Sequence, residues 1–127
     1  MAGEKERILV IDDDEIHLSM VEILLESEYE IVTTKSGKEA LELLLRGPAP
    51  NLILLDIIMP NMDGWETFNR IKAISLLRSV PIIFLSGISE TEEVDRAYKI
   101  GAVDFIRKPY DGKDLQDRIK KVLNKNE

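Results

Sequence analysis

Asn51-Leu52-Ile53-Leu54-Leu55-Asp56 runs apolar up to its final carboxylate, and Met59-Pro60-Asn61-Met62-Asp63-Gly64 breaks the chain just beyond it. A continuous apolar segment closed by one charge and a Pro/Gly turn reads as a strand buried on both faces, which delivers an acid to the C-terminal edge of a parallel sheet. Arg7-Ile8-Leu9-Val10-Ile11 ends the same way, in Asp12-Asp13-Asp14. Two buried strands that discharge acid at one rim constrain the fold strongly, because open α/β sheets carry their chemistry at that edge.

Apolar strand-like runs and helical patterns alternate five times along the chain, which is the rhythm of a doubly wound α/β domain with an open parallel sheet. The strands fall at residues 7–12, 29–34, 51–56, 80–86 and 102–107. The second of these, Tyr29-Glu30-Ile31-Val32-Thr33-Thr34, is the most polar and suits a sheet edge. Asp14 to Glu26 carries Ile16, Met20, Ile23 and Leu24 at helical spacing, and these predict the buried stripe of the first helix. Ala40, Leu41, Leu44 and Leu45 mark the second helix, which Gly47-Pro48 stops. Trp65, Phe68 and Ile71 mark the third, Val94, Ala97 and Tyr98 the fourth, and Leu115, Ile119, Val122 and Leu123 the last. Ser36, Asp63, Ser89 and Asp111 are expected to cap helix starts, and Asp14 to do the same for the first helix.

At 127 residues, one domain spanning 1–127 is expected, with a single chain able to bury a sizeable core and no output domain in the sequence. No apolar run reaches the ~18 residues of a membrane span, and the first residues lack a signal-peptide pattern. With no cysteine there is no disulfide framework and no thiolate metal site, which fits a cytoplasmic protein. A formal charge of −7 argues against direct nucleic-acid binding, whose sequence-independent affinity comes from Lys and Arg against phosphates.

If the first and third strands are neighbours, Asp12, Asp13 and Asp56 converge, and like charges ~5 Å apart repel by roughly 3 kcal/mol per pair at an effective dielectric near 20. A cation must offset that. Carboxylate oxygens without nearby His or Cys suit Mg²⁺ or Mn²⁺. Lys108 follows the fifth strand and precedes Pro109, a candidate cis peptide, and Ser86 ends the fourth strand with a hydroxyl. An acidic metal pocket, a carboxylate nucleophile, a hydroxyl and an ammonium form the set that phosphoryl transfer requires.

The segments that carry this set are Ile8 to Asp14, Asp56 to Gly64, Pro81 to Gly87 and Gly101 to Tyr110. In this order and at five-strand spacing they resemble the receiver domain of two-component response regulators over essentially the whole chain. The resemblance implies a flavodoxin-like (βα)5 sheet of strand order 2-1-3-4-5. It implies that Asp56 accepts a phosphoryl group from a sensor histidine kinase or a histidine phosphotransfer protein. Asp12 and Asp13 then map to the metal-binding acids beside Asp56, and Ile58 to the residue whose backbone carbonyl completes the protein's ligands. Ser86 maps to the switch hydroxyl, Phe105 to the switch aromatic and Lys108 to the phosphate-contacting lysine. The response would be a change in the face formed by helix four, strand five and helix five, read by an unknown output protein or domain. Such a chain catalyses only its own phosphorylation and dephosphorylation.

This sequence departs from the pattern in two places. Gly87 stands where Ala is usual, which opens the phosphate mouth, and Phe105 stands where Tyr is common, which removes a hydroxyl a partner could read. The side chains two beyond Asp56 and two beyond Ser86, which could hold a hydrolytic water, are Ile58 and Ile88, and neither can orient it. Met59, Met62, Trp65 and Phe68 read as packing, His17 as a surface or packed histidine, and Glu90, Glu92, Glu93 and Asp95 as a solvated helical face that could also dock a partner. Two other readings compete. Asp12-Asp13-Asp14 contains the Asp-x-Asp of a Mg²⁺-dependent phosphohydrolase resembling the haloacid dehalogenase class, with Asp12 as nucleophile; there Ile16 replaces the usual Thr or Val. A pseudo-receiver that binds a partner without phosphorylation would have no need of the complete set of chemical residues found here. A flavin is disfavoured, since acids in the first loop repel a cofactor phosphate.

Overall fold

A computed structural model of the chain describes residues 5–87 and 90–124; Ile88 and the expected cap Ser89 lie outside them. The strands are β1 (Arg7–Ile11), β2 (Glu30–Thr34), β3 (Leu52–Leu55), β4 (Ile82–Ser86) and β5 (Asp104–Arg107). The helices between and after them are α1 (Glu15–Leu25), α2 (Gly37–Arg46), α3 (Gly64–Lys72), α4 (Thr91–Ile100) and α5 (Gly112–Asn124). All pairings are parallel and the order is β2-β1-β3-β4-β5, so the polar second strand does lie at an edge.

Side chains alternate across each strand, so the sheet separates its apolar residues into two cores. Leu9, Ile11, Ile53, Leu55, Ile82 and Phe84 face α2, α3 and α4. Ile8, Val10, Leu52, Leu54, Ile83 and Leu85 face α1 and α5. Both faces are covered, which is why the central strands read as unbroken apolar runs rather than alternating ones. Trp65, Phe68 and Met59 are buried as expected, and Phe84 stacks between Trp65 and Phe68 with centroids 5.1 and 5.5 Å away.

Helix α1 corrects the sequence reading. Ile16, Met20 and Ile23 are 75%, 58% and 72% exposed, whereas His17, Leu18, Val21 and Leu25 are buried. The helix carries two apolar stripes, and spacing alone does not choose between them. The choice is made by where the helix begins: Asp14 accepts from the amides of Ile16 (3.0 Å) and His17 (3.4 Å), and this cap fixes the rotation that turns Leu18 and Val21 to the sheet. In α2, Leu45 likewise faces solvent while Ala40 and Leu44 are buried, and in α4 Tyr98 is half exposed with its hydroxyl on Asp104 at 3.1 Å. The consequence for stability is testable by urea unfolding. Ile16→Ser, Met20→Ser and Ile23→Ser should each change stability by no more than about 0.5 kcal/mol, and Leu25→Ala should cost about 3 kcal/mol. Equal losses at the two faces would contradict this rotation.

Ser36 caps α2 through the Glu39 amide (3.0 Å) and Asp63 caps α3 through the Glu66 amide (2.9 Å). Asp111 precedes α5, where its carbonyl accepts from Leu115 (3.0 Å). Helix α4 starts after Glu90, whose side chain makes no cap bond. Among the described residues, no helix is long and apolar enough to cross a membrane.

Candidate functional site at the carboxyl edge

The ladder between the central strands continues one residue past their ends. The Asp12 amide donates to Thr34 (3.1 Å) and the Asp56 amide to Ile11 (2.9 Å), so both carboxylates are set rigidly over the rim. The Lys108 amide donates to the Ser86 carbonyl (2.8 Å), which brings the ends of β4 and β5 to the same edge. The Lys108–Pro109 peptide is cis, as expected. Asp12, Asp13 and Asp56 each offer a carboxylate oxygen within 4.8 Å of the others'. Lys108 Nζ lies 3.0 Å from Asp12 Oδ2 and 3.7 Å from Asp56 Oδ1.

The two buried acids differ in chemistry. Burial alone would raise Asp12, but donors from His17, the Asp14 amide and Lys108 outweigh it and hold its carboxyl at about 2. Asp56 is pushed up to about 6, first by burial and then by the negative charge of Asp12; Lys108 and the Ile57 amide (2.9 Å) oppose this only in part. A cluster whose second acid is held this far up fits a divalent cation, and hard oxygen donors with one exposed member, Asp13, fit Mg²⁺ or Mn²⁺. Ile58 projects into solvent at the mouth, 64% exposed, and Gly87 has open space where a Cβ would be. Ser86 is fully buried. Phe105 is buried as well, its ring 6.2 Å from that of Phe84, so the inward rotamer is the one observed.

The structure thus brings Asp12, Asp13, Asp56, Ser86 and Lys108 to one rim and sets Phe105 under the β4–β5 surface. His17 is packed, as the sequence suggested, but its polar partners were not foreseen. Its Nδ1 lies 2.6 Å from Asp12 Oδ2 and its Nε2 lies 2.6 Å from the Tyr110 hydroxyl. The parallel sheet places these residues together by bringing the ends of β1 and β5 to one rim, where Lys108 reaches across to Asp12. A cavity of about 680 Å³ lies at the opposite end of β4 and β5, among Lys72, Arg78, Asp104, Arg118 and Lys121, away from the acid cluster. The acid cluster lies at the carboxyl edge of the sheet instead.

Comparison with known proteins places this geometry in a family. A family model described as the response regulator receiver domain matches residues 8–120. A probable cyclic di-GMP phosphodiesterase of Vibrio cholerae serotype O1 is 38% identical over 112 residues, covering 88% of this chain and 25% of that protein. The probable transcriptional regulator ycf27 of Pyropia yezoensis is 36% identical over 130 residues, covering 98% of this chain and 50% of that protein. The chain therefore spans between a quarter and a half of the length of these two relatives. A solved response regulator receiver domain protein from Methanospirillum hungatei superposes with a TM-score of 0.85 at 32% identity, covering 96% of each chain. With its strand order, its acid rim and a family match over nearly the whole length, the chain belongs to the response regulator receiver domain family.

Proposed function

We propose that this chain is a phosphoacceptor switch in which Asp56 takes a phosphoryl group from the phosphohistidine of a sensor histidine kinase or a phosphotransfer protein. The observation that carries the reading is the convergence of three carboxylates within 4.8 Å with Lys108 bridging two of them. One Asp56 oxygen forms the new O–P bond as the donor's N–P bond breaks. The electron pair stays on the donor imidazole nitrogen, which takes a proton from solvent. Lys108 would share the charge of the phosphoryl oxygens, and Ser86 would donate to one of them once it moves toward the group. Asp12, Asp13, Asp56 and the Ile58 carbonyl are the groups that would hold Mg²⁺ or Mn²⁺, which when bound offsets the charge of the acids and of the transferred group.

The geometry favours Asp56 over Asp12 as nucleophile. Asp12 accepts from the Asp14 amide at Oδ1 and from both His17 and Lys108 at Oδ2, so most of its acceptor capacity is taken and Oδ1 keeps a position for a cation. Asp56 accepts from the Ile57 amide at 2.9 Å, and Lys108 stands 3.7 Å from its Oδ1. A carboxylate held at about 2 is also the weaker nucleophile of the two. The phosphohydrolase reading loses its residue on this ground.

The output is a population shift of the α4–β5–α5 face, biased when Ser86 approaches the phosphoryl group. An unidentified protein or attached domain reads it, and the chain acts as a signalling unit rather than as a turnover enzyme. The exposed Ile16, Met20 and Ile23 stripe begins three residues after Asp13 and gives a helical phosphodonor an apolar surface beside the pocket.

Acetyl phosphate with Mg²⁺ tests the reading. Intact-mass spectrometry should show one added phosphate on the wild type and none on Asp56→Asn; label retained by the variant, or absent from the wild type, would remove the proposal. Serine at Ile16, Met20 and Ile23 together should leave this labelling intact while slowing transfer from a phosphorylated histidine donor about tenfold or more.

A further inference from the structure

We propose that His17 and Tyr110 are positioning residues for Asp12: together they form a hydrogen-bonded strut that runs from the metal-binding rim to the surface between α4 and α5. The proposal rests on the reading of Asp12, Asp13 and Asp56 as the metal site. Asp12 is 2% exposed, and a carboxylate buried so deeply keeps one orientation only if its oxygens are held. Oδ1 takes the Asp14 amide at 3.0 Å. Oδ2 takes Lys108 at 3.0 Å and His17 Nδ1 at 2.6 Å. Lys108 also faces Asp56, and transfer would draw it toward the phosphoryl group. His17 is the side-chain donor whose one task is to hold Asp12.

The Asp12 end of the ring decides which nitrogen donates. The Tyr110 hydroxyl sits 2.6 Å from Nε2, in an edge-on arrangement with ring centroids 5.6 Å apart at 74°. Burial, and then the charge of Asp12, push the Tyr110 phenol up to about 12, so it keeps its proton at neutral pH. The ionised Asp12 carboxylate can only accept, so Nδ1 carries the proton that goes to it, which leaves Nε2 to accept from the Tyr110 O–H. In this arrangement every heteroatom of the chain is satisfied. His17 has short contacts at both nitrogens, and the partners are a metal-site acid at one end and a residue 93 positions away at the other.

Tyr110 also connects the strut to the surface. Its ring packs on the core under α1 and α5, and it lines a cavity of about 400 Å³ with Val94, Phe105, Arg107 and Arg118. A ligand-orienting residue outside the coordination shell typically alters metal affinity 10- to 100-fold when removed. By linkage, whatever moves Tyr110 from that cavity alters metal affinity at Asp12, and metal binding alters the freedom of Tyr110.

His17 is the only histidine in the chain, so its imidazole nitrogens can be read directly by ¹⁵N NMR. At pH 8 the wild type should show a protonated Nδ1, the reverse of the Nε2–H form that free histidine favours, and Tyr110→Phe should weaken that preference. Mg²⁺ affinity, measured by calorimetry, should fall about 10- to 100-fold in His17→Leu and recover to within a few-fold of wild type in His17→Asn, whose amide places a donor near Nδ1. A merely structural role would not give that rescue. An unprotonated Nδ1 in the wild type, or His17→Leu that is folded by circular dichroism and binds Mg²⁺ as the wild type does, would overturn the strut. Asp13→Ala that binds Mg²⁺ normally would overturn the metal site instead, and the nitrogen signals would still decide the strut.

Discussion

Asp56→Asn will abolish phosphorylation and, in the same molecule, stabilise the metal-free protein at pH 8. The two effects have one cause: an acid kept where its charge is costly until a cation or a phosphoryl group uses it. Burial and the neighbouring Asp12 raise the folded-state value of Asp56 from 3.8 to about 6. A carboxyl group raised on folding destabilises the protein where it must ionise. The cost is absent below about pH 4, grows between there and about pH 6, and is complete above. Two pH units correspond to about 3 kcal/mol, and water at the open mouth reduces this to about 1–2 kcal/mol. Asparagine removes the charge and keeps the shape, so the urea midpoint should rise by that amount at pH 8, and the gain should fade toward pH 4. Mg²⁺ should reverse the order by stabilising the wild type, by about 2.7 kcal/mol at a hundredfold excess over its Kd, more than it stabilises the variant. A variant less stable than wild type at pH 8 without metal would mean that Asp56 is a structural acid and not a poised one.

The rim was legible in the sequence because Asp12 and Asp56 are each the first charge after a run of apolar residues buried on both faces, and Asp13 adjoins the first of them. Lys108 was legible for a related reason: it lies between the fifth strand and a proline, where the chain has to turn. The rotation of α1 was not legible. Ile16, Met20 and Ile23 repeat at helical spacing as Leu18, Val21 and Leu25 do, and which stripe meets the sheet depends on the path of the loop that leads from β1 to the Asp14 cap, which spacing does not show. The roles of His17 and Tyr110 lay further from reach. Neither residue carries a motif, and their meeting depends on where the first loop and the cis Lys108–Pro109 peptide place them over the same rim. Packing of Arg96 on the Trp65 ring, 4.2 Å from its centroid, is of the same kind: it joins α4 to α3 through residues that local patterning leaves unrelated.

Gly64→Ala should be the most damaging single methyl that can be added near the site. Gly64 opens α3 directly behind the acceptor loop, and its amide donates to the Ile57 carbonyl at 2.7 Å. A Cβ at this position would press on the carbonyl oxygen of Asp56 and stand 2.6 Å from Ile57 Cα. Both neighbours are backbone, so no rotamer relieves the contact, and either the acceptor loop or the start of α3 has to move. Gly37 is also crowded, but by side chains: Met62 is flexible, and Thr67 can turn only by giving up its 2.8 Å bond to the Asp63 carbonyl, while Gly87 has nothing within 4 Å. The expected order of loss is therefore Gly64→Ala first, at about 3 kcal/mol or more, then Gly37→Ala, with Gly87→Ala within about 0.5 kcal/mol of wild type. Urea unfolding measures the order. Because the displaced atom belongs to Asp56, Gly64→Ala should also label with acetyl phosphate at least tenfold more slowly under conditions where it remains folded, while Gly87→Ala labels normally. If Gly64→Ala keeps both the stability and the labelling rate of the wild type, the close approach of α3 is not what holds Asp56 in place.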